Sequence, residues 1–329
     1  MKNIIKKLED YRKSLKPGDI TLLGLITEGG QGLATGNNGK YIGVLEGTKW
    51  AEKVRKERPE KLWRFIQNKR PKELSHLKSK QEVKNFLNNL SEKEIRKLFD
   101  NFKEKYGRDI FGQGWLYRIV SKDEIADIDK LSDDEKLNGI KGERTFVPYD
   151  KGDKEGNRWY APTPYYIDWS RKNVKFLKEN SGKKGIGMPV VRNSQFYFRE
   201  GFCWTDVNST YLKARIKQKG IYDVLTMSLF TITSIPDWYF VCLINSKFIS
   251  EYVADFINST SHFQINDARQ LPILIPTPEQ LKVFEKIFTR AYNIQKRKFA
   301  GEITEEEAER QLEEIQKKLD EKVEKMYMG

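Results

Sequence analysis

The sequence predicts an α+β fold: a domain of mixed short strands with a helical insertion and a C-terminal helical hairpin. Three observations carry this. Short apolar runs punctuated by glycine, ITLLGLITEGG at 20–30 and YIGVLEG at 41–47, have strand length and strand boundaries. Residues 49–106 switch to a Lys- and Glu-rich composition with apolar residues at helical spacing. From Thr277 onward the chain is capped and amphipathic. The expected division is one domain over 1–280, with 49–106 inserted, followed by a helical hairpin or spacer over 281–329.

Taken in order, residues 3–15 read as a charged helix ending before Pro17. The two strand-like runs flank GLATGNNGKYIG (32–43), where Gly36, Asn37, Asn38 and Gly39 accept positive φ, and a hairpin-like loop is the simplest local structure. In the insertion, Ser79 with Glu82 and Ser91 with Glu94 have the spacing of capping boxes. The helices they open carry Val83, Phe86, Leu87 and Leu90, then Ile95, Leu98, Phe99 and Phe102. Residues 145–275 are mixed, aromatic and strand-rich. Thr277-Pro278-Glu279-Gln280 places cap, first-turn proline and N3 glutamine in order. Beyond Gly301, Thr304 and Glu307 repeat the capping pattern, and Ile303, Ala308, Leu312, Ile315 and Leu319 form a narrow seam. Such a seam packs on its own domain or pairs with a partner helix.

The 329 residues carry 60 Lys and Arg against 47 Asp and Glu, a net charge of +13. That excess points to a polyanionic partner, nucleic acid before membrane; the alternative is a soluble protein with a lysine-rich surface. Cys203 and Cys242 lie singly in apolar or aromatic stretches, which argues against a zinc site or a disulfide framework and for a reducing, cytoplasmic setting. The N-terminal stretch lacks the apolar core of a signal peptide. No apolar run reaches the roughly 18 residues of a membrane span, and WYFVCLI (238–244) reads as a buried strand or helix segment.

Motifs for catalysis are sparse. The 32–43 loop lacks the G-x-x-x-x-G-K-[ST] pattern, and a strand rather than a helix follows it, unlike a dinucleotide fingerprint. There is no Pro-Pro pair, so no N-P-P-Y type loop to grip an amine. FGQGW (111–115) reads as a structural turn. Asp133, Asp134 and Glu135 could hold a metal but also open a helix, where acidic residues favour the dipole. His76 reads as a surface residue, and neither it nor His262 has a partner at metal or triad spacing. No catalytic or metal-ligating residue is assigned.

Binding chemistry is better represented. The segments 145–169 and 189–217 interleave Arg and Lys with Tyr, Phe and Trp and add amides and hydroxyls. Cations suit phosphates, planar amides and guanidiniums suit base edges, and aromatics stack. A β-rich core with ordinary charged faces would have the same composition. The run Lys49, Lys53, Arg55, Lys56, Arg58, Lys61, Arg64, Lys69, Arg70 and Lys72 is either a solvated helix face or a track along a phosphate backbone.

The order of motifs adds a resemblance. GLATGNNGKYI, FVPYDKGDKEGNRWY, YYIDW, FYFREGFCWTDV, LKARIKQKGIYDV and FINSTSHFQINDARQLPILIP follow one another. Together they resemble the C-terminal target-recognition region (the TaqI-like specificity domain) of adenine-specific DNA methyltransferases, such as type IIG restriction–modification enzymes and the PglX enzymes of BREX phage defence. The resemblance spans about residues 20–280. It implies sequence-specific recognition of double-stranded DNA, with S-adenosylmethionine bound by a methyltransferase domain or subunit and not by this chain. The methyltransferase domain that precedes this region in the family has no counterpart in the sequence.

Under that reading Thr35, Asn37, Asn38 and Lys40 sit on an exposed DNA-contacting loop, or merely turn a hairpin. Lys151 and Arg158 serve phosphates or surface ion pairs. Arg192, Asn193, Gln195 and Arg199 are the base-reading candidates, and Arg215 joins the contact set. Gln264 and Asn266 reach a base or bond internally. Trp159 and Trp204 read as core. The alternative is a protein-docking module whose terminal helices engage a methyltransferase subunit, with DNA bound only in the complex; a standalone nuclease or methyltransferase is the third reading.

Overall fold

A computed structural model describes residues 2–111, 116–153, 155–205 and 211–329. Residues 112–115 of FGQGW, and Asp206 and Val207 of FYFREGFCWTDV, lie outside them. The fold is α+β, with helices and several sheets. It divides into two compact units, each assembled from separated segments: Met1–Gly32, Asp150–Pro162 and Gln195–Gly329 in the first, Leu33–Tyr149 and Thr163–Ser194 in the second.

The first unit is built on an antiparallel sheet in the order Thr27–Gly30, Thr226–Thr231, Gly201–Thr205, Ala214–Lys217. A second, two-stranded sheet pairs Ile20–Leu22 with Pro272–Leu274. The WYFVCLI run is helical, within Asp237–Ile244, and its residues from Tyr239 onward are all buried. Burial on every side explains why its pattern shows no polar face. Asn245, just past this helix, fastens the sheet edge: its amide accepts from the Ala214 N–H at 2.8 Å and donates to the Ala214 carbonyl at 2.9 Å.

The helices Pro278–Ala300 and Glu305–Met328 belong to the same unit. Thr277 and Gln280 form the expected reciprocal cap, and Gly301 at φ 74° ends the first helix in the left-handed conformation. The seam Ala308, Ile315 and Leu319, extended by Val323, is buried in the unit's own core with Phe284, Phe288 and Ala291, so the seam packs on its own domain.

In the second unit Ile42–Leu45 runs parallel to Arg118–Val120 and antiparallel to Tyr165–Asp168, which pairs in turn with Phe146–Asp150. The helices Lys49–Lys69, Lys80–Asn88 and Glu92–Tyr106 enclose a core of their own. Leu62, Phe65, Val83, Leu87, Ile95, Phe99 and Phe102 are buried there, with Phe86, Leu90 and Leu98 packed against them. The Ser91–Glu94 capping box is complete. At Ser79 only the forward half forms, since Glu82 accepts from the Lys78 N–H instead.

The expected hairpin does not form. Its first arm breaks into Ile20–Leu22, a helical turn Leu23–Ile26 and Thr27–Gly30, and this last strand pairs with Thr226–Thr231. Its second arm pairs inside the other unit, and residues 38–41 make a helical turn. Gly36 does take a positive φ, 66°, while Gly29, inside the strand Thr27–Gly30, serves close packing: a Cβ there would stand 2.4 Å from the Ser228 carbonyl oxygen.

Candidate nucleic-acid interface

Charge separates sharply between the units. The segments of the second hold 33 Lys and Arg against 21 Asp and Glu, whereas those of the first hold 27 against 26. The cationic excess therefore belongs almost wholly to the second unit.

The 32–43 loop is more interior than expected. Thr35 is 2% exposed, and its hydroxyl donates to the Asn38 side-chain oxygen at 2.6 Å and accepts from the Asn37 N–H at 3.2 Å. Gly36 has φ 66°, and a Cβ there would come within 2.5 Å of the Gly187 and Met188 carbonyl oxygens. The loop's hydroxyl and glycine thus close the local backbone, which withdraws Thr35 from any solvent-facing partner. Asn37 and Asn38 are half-buried, and within the loop only Lys40 is exposed. Its ammonium lies 4.7 Å from the centre of the Phe176 ring and 5.1 Å from that of Tyr41.

The base-reading candidates divide between the units: Arg192 and Asn193 in the second, Gln195 and Arg199 in the first. Arg192, Gln195 and Arg199 are exposed; Asn193 is half-buried at φ 49°. Arg199 lies 5.3 Å from the Phe196 and Phe230 ring centres, and those two rings stack at 4.8 Å.

Arg215 is a correction. It is 3% exposed and pairs with Asp150 at 3.0 Å. Both faces of its strand are covered, since Ala214, Arg215 and Lys217 are all buried, and there only a carboxylate offsets the desolvation of a guanidinium. Lys217, two residues on, is fully buried as well and donates to the Arg199 and Gln218 carbonyls at 3.1 and 3.0 Å. Burial pushes its ammonium down to about 8, against the pull of Asp150. Nothing in the local pattern marks these two cations as interior; their burial follows from the register, which sets Arg215 opposite Cys203 and Lys217 opposite Gly201.

Arg158 is half-buried and donates to the Gln316 amide oxygen at 2.7 Å, a contact made within the first unit. Lys151 is half-buried. Trp159 and Trp204 are core: Trp204 donates its indole N–H to the Phe263 carbonyl at 2.7 Å, and Trp159, at φ 71°, bonds through its backbone to Ala214 and Ile216. A bulky residue holds such a φ only where its surroundings impose it. Gln264 and Asn266 are exposed on a short helical turn, which Gln264 caps together with Asp267. His76 is exposed, as is His262.

Arg55, Arg58, Lys61 and Arg64 of the insertion's basic run bond within their own unit, and Lys69, Arg70 and Lys72 are exposed. Arg58 is buried against Glu92 at 2.8 Å, Arg55 bonds Glu46 and Glu52, Arg64 bonds Glu60, and Lys61 donates to the Phe111 carbonyl at 3.1 Å. Lys53 and Lys56 remain on the surface. The acidic trio serves the helix: Ser132 and Glu135 form its capping box, and Asp134 binds Arg171.

Four cations escaped the sequence reading as a group: Lys40, Lys103, Arg118 and Lys172. Burial and then the charges of Lys172 and Arg118 hold the Lys40 ammonium below the usual lysine range. Lys103 is displaced the same way by burial, with Arg118 adding to it and Asp100 opposing. Helix, strand and loop deliver these residues from positions far apart in sequence, so no local pattern announces them.

Among the described residues, no helix is long and apolar enough to cross a membrane. No family model matches the chain. Over 137 residues, 41% of the chain, it is 27% identical to the adenine-specific methyltransferase BrxX of Escherichia coli O9:H4 (strain HS), and the match covers 10% of that protein's length. This chain is thus similar, over part of its length, to a small portion of a much larger methyltransferase.

Proposed function

We propose that the chain is a sequence-recognition module for double-stranded DNA within an adenine-methylating restriction–modification or phage-defence system. The methyl transfer itself is carried out by an associated methyltransferase domain or subunit that binds S-adenosylmethionine. The observation that carries this reading is the segregation of charge: the second unit holds 33 cationic against 21 anionic side chains while the first is nearly balanced. A lysine-rich surface serving solubility alone has no reason to be confined to one unit, whereas a polyanion partner selects such a concentration. The partial similarity to BrxX supports the methyltransferase setting.

Docking through the terminal helices is the weaker reading, because their apolar seam is consumed by the unit's own core. Mobility shift with a random-sequence duplex pool, followed by sequencing of the retained fraction, tests the proposal. The expected result is binding that weakens with salt and an enriched motif in the retained pool. Absence of binding at low salt would refute it, and binding without enrichment would reduce the module to a non-specific DNA clamp.

A further inference from the structure

Within the second unit, the strand Arg118–Val120, the helices Glu92–Tyr106 and Arg171–Glu179 and the loop ending at Lys40 bring one set of cations together. Lys103 Nζ lies 3.5 Å from the Gly39 carbonyl oxygen, which ties the cation to the loop. Arg108 donates to the Gly36 carbonyl of the same loop. The Lys40 ammonium rests over Phe176, on the helix that also carries Lys172. Arg118 joins the set through Asp100, 3.3 Å away on the helix that carries Lys103, and its charge adds to the lowering of both Lys40 and Lys103.

Two carboxylates oppose these cations, and neither neutralises them fully. Asp100 lies 3.3 Å from one Arg118 terminal nitrogen and Asp168 lies 3.8 Å from the other. The Arg118 Nε is buried without a hydrogen-bond partner. Against these four cations stand Asp100, shared by Arg118, Lys40 and Lys103, and Asp168, directed to the arginine. The lysines are partly desolvated and repelled by one another's neighbours, so the free protein holds them at a cost that an anion would relieve.

We propose that Lys40, Lys103, Arg118 and Lys172 form a phosphate-binding site that takes a phosphodiester of the DNA backbone and sets the register of the duplex on the second unit. This rests on the DNA-recognition reading and adds where the backbone is gripped. Lys40 and Lys172, both exposed, supply the direct charge. Arg118 and Lys103, half-buried, act from behind and hold the loop and helix in place. Backbone contacts of this kind position a protein without reading sequence.

The test uses the full chain and the salt dependence of its affinity for a random-sequence duplex. K40Q/K172Q removes two exposed cations of the site; K53Q/K56Q removes two exposed cations on the helix Lys49–Lys69 and leaves the same net charge. Site binding predicts that K40Q/K172Q lowers the slope of log affinity against log salt by about two, while the control pair lowers it clearly less. Equal effects of the two pairs, or an unchanged slope in K40Q/K172Q, would overturn the site while leaving DNA recognition standing. Failure of the wild-type chain to bind duplex at low salt would remove the parent reading and the site with it. Titration with inorganic phosphate distinguishes the remaining source: saturable phosphate binding, lost in K40Q/K172Q, by a chain that ignores duplex would assign the site to a small anion and overturn the proposal.

Discussion

Arg215 and Asp150 form a 3.0 Å ion pair in the interior of the first unit, with 4% and 17% of their side chains exposed. Thr226 also donates to Asp150, at 3.3 Å, and so does the Gly152 N–H at 3.1 Å. The sequence motif that contains Arg215 is thus a structural device that joins the segment 150–162 to the sheet. Arg215→Ala is expected to destabilise the protein by about 3–5 kcal/mol, because it strands a buried carboxylate. Thermal unfolding would register the loss as a lower melting temperature. The salt slope of DNA affinity, measured on the folded variant, is expected to match the wild type; a reduced slope would mean that Arg215 reaches phosphate after all.

Lys217 gives stability a signed dependence on pH. Its folded-state value, about 8, lies below the ordinary lysine value of 10.5. Between these limits the unfolded chain binds the proton and the folded chain does not, so stability rises as pH increases through that window. The size is on the order of 3 kcal/mol across the full window, from about 1.4 kcal/mol per pKa unit. Chemical denaturation at pH 7.5 and 9.5 is to be compared between the wild type and Lys217→Met. The variant is expected to lack this rise, whereas identical pH responses would show that Lys217 stays charged in the fold.

Gly36 is expected to resist substitution. Gly36→Ala demands a left-handed backbone from alanine and sets its methyl within 2.5 Å of the Gly187 and Met188 carbonyl oxygens. A destabilisation of about 1–3 kcal/mol follows from the backbone conformation alone. Gly47 offers the control: it has φ 79°, but nothing lies within 4 Å of an added Cβ. Gly47→Ala is therefore expected to cost less in a denaturation experiment, and equal costs would exclude steric packing as the reason for Gly36.

Arg192, Gln195 and Arg199 are the exposed residues of the base-reading set. Arg192→Ala is expected to leave the melting temperature within a degree or so while relaxing sequence discrimination by about 1–3 kcal/mol, the usual worth of a bidentate base contact. Binding measured against the enriched motif and against a scrambled duplex gives the discrimination directly. A uniform loss on both duplexes would reassign Arg192 to the phosphate backbone.

Much of the architecture was legible because its causes are local. Ser91 with Glu94 and Thr277 with Gln280 cap helices by bonds spanning three residues, and the insertion's apolar spacing reproduces its buried core. The site was less legible. Thr35 looked like a loop hydroxyl and is buried on Asn38; Arg215 looked like a DNA contact and is interior, as is Lys217. Their burial depends on which strands lie beside them, and strand partners here are as far apart in the chain as Ile20 and Leu274.

The sequence by itself determined the N-terminal helix, the helices of the insertion and of the terminal pair, most of their caps, the apolar seam and the cationic excess, since each follows from composition or from interactions within a turn or two; the helices Asp237–Ile244 and Lys247–Phe256 it did not. Only the tertiary structure decided that the two glycine-punctuated runs enter different sheets, that Asp150 neutralises Arg215 across 65 positions, and that Lys40, Lys103, Arg118 and Lys172 converge. Strand pairing and the desolvation of charge are set by neighbours in space, and chain order does not specify those neighbours until the whole core has packed.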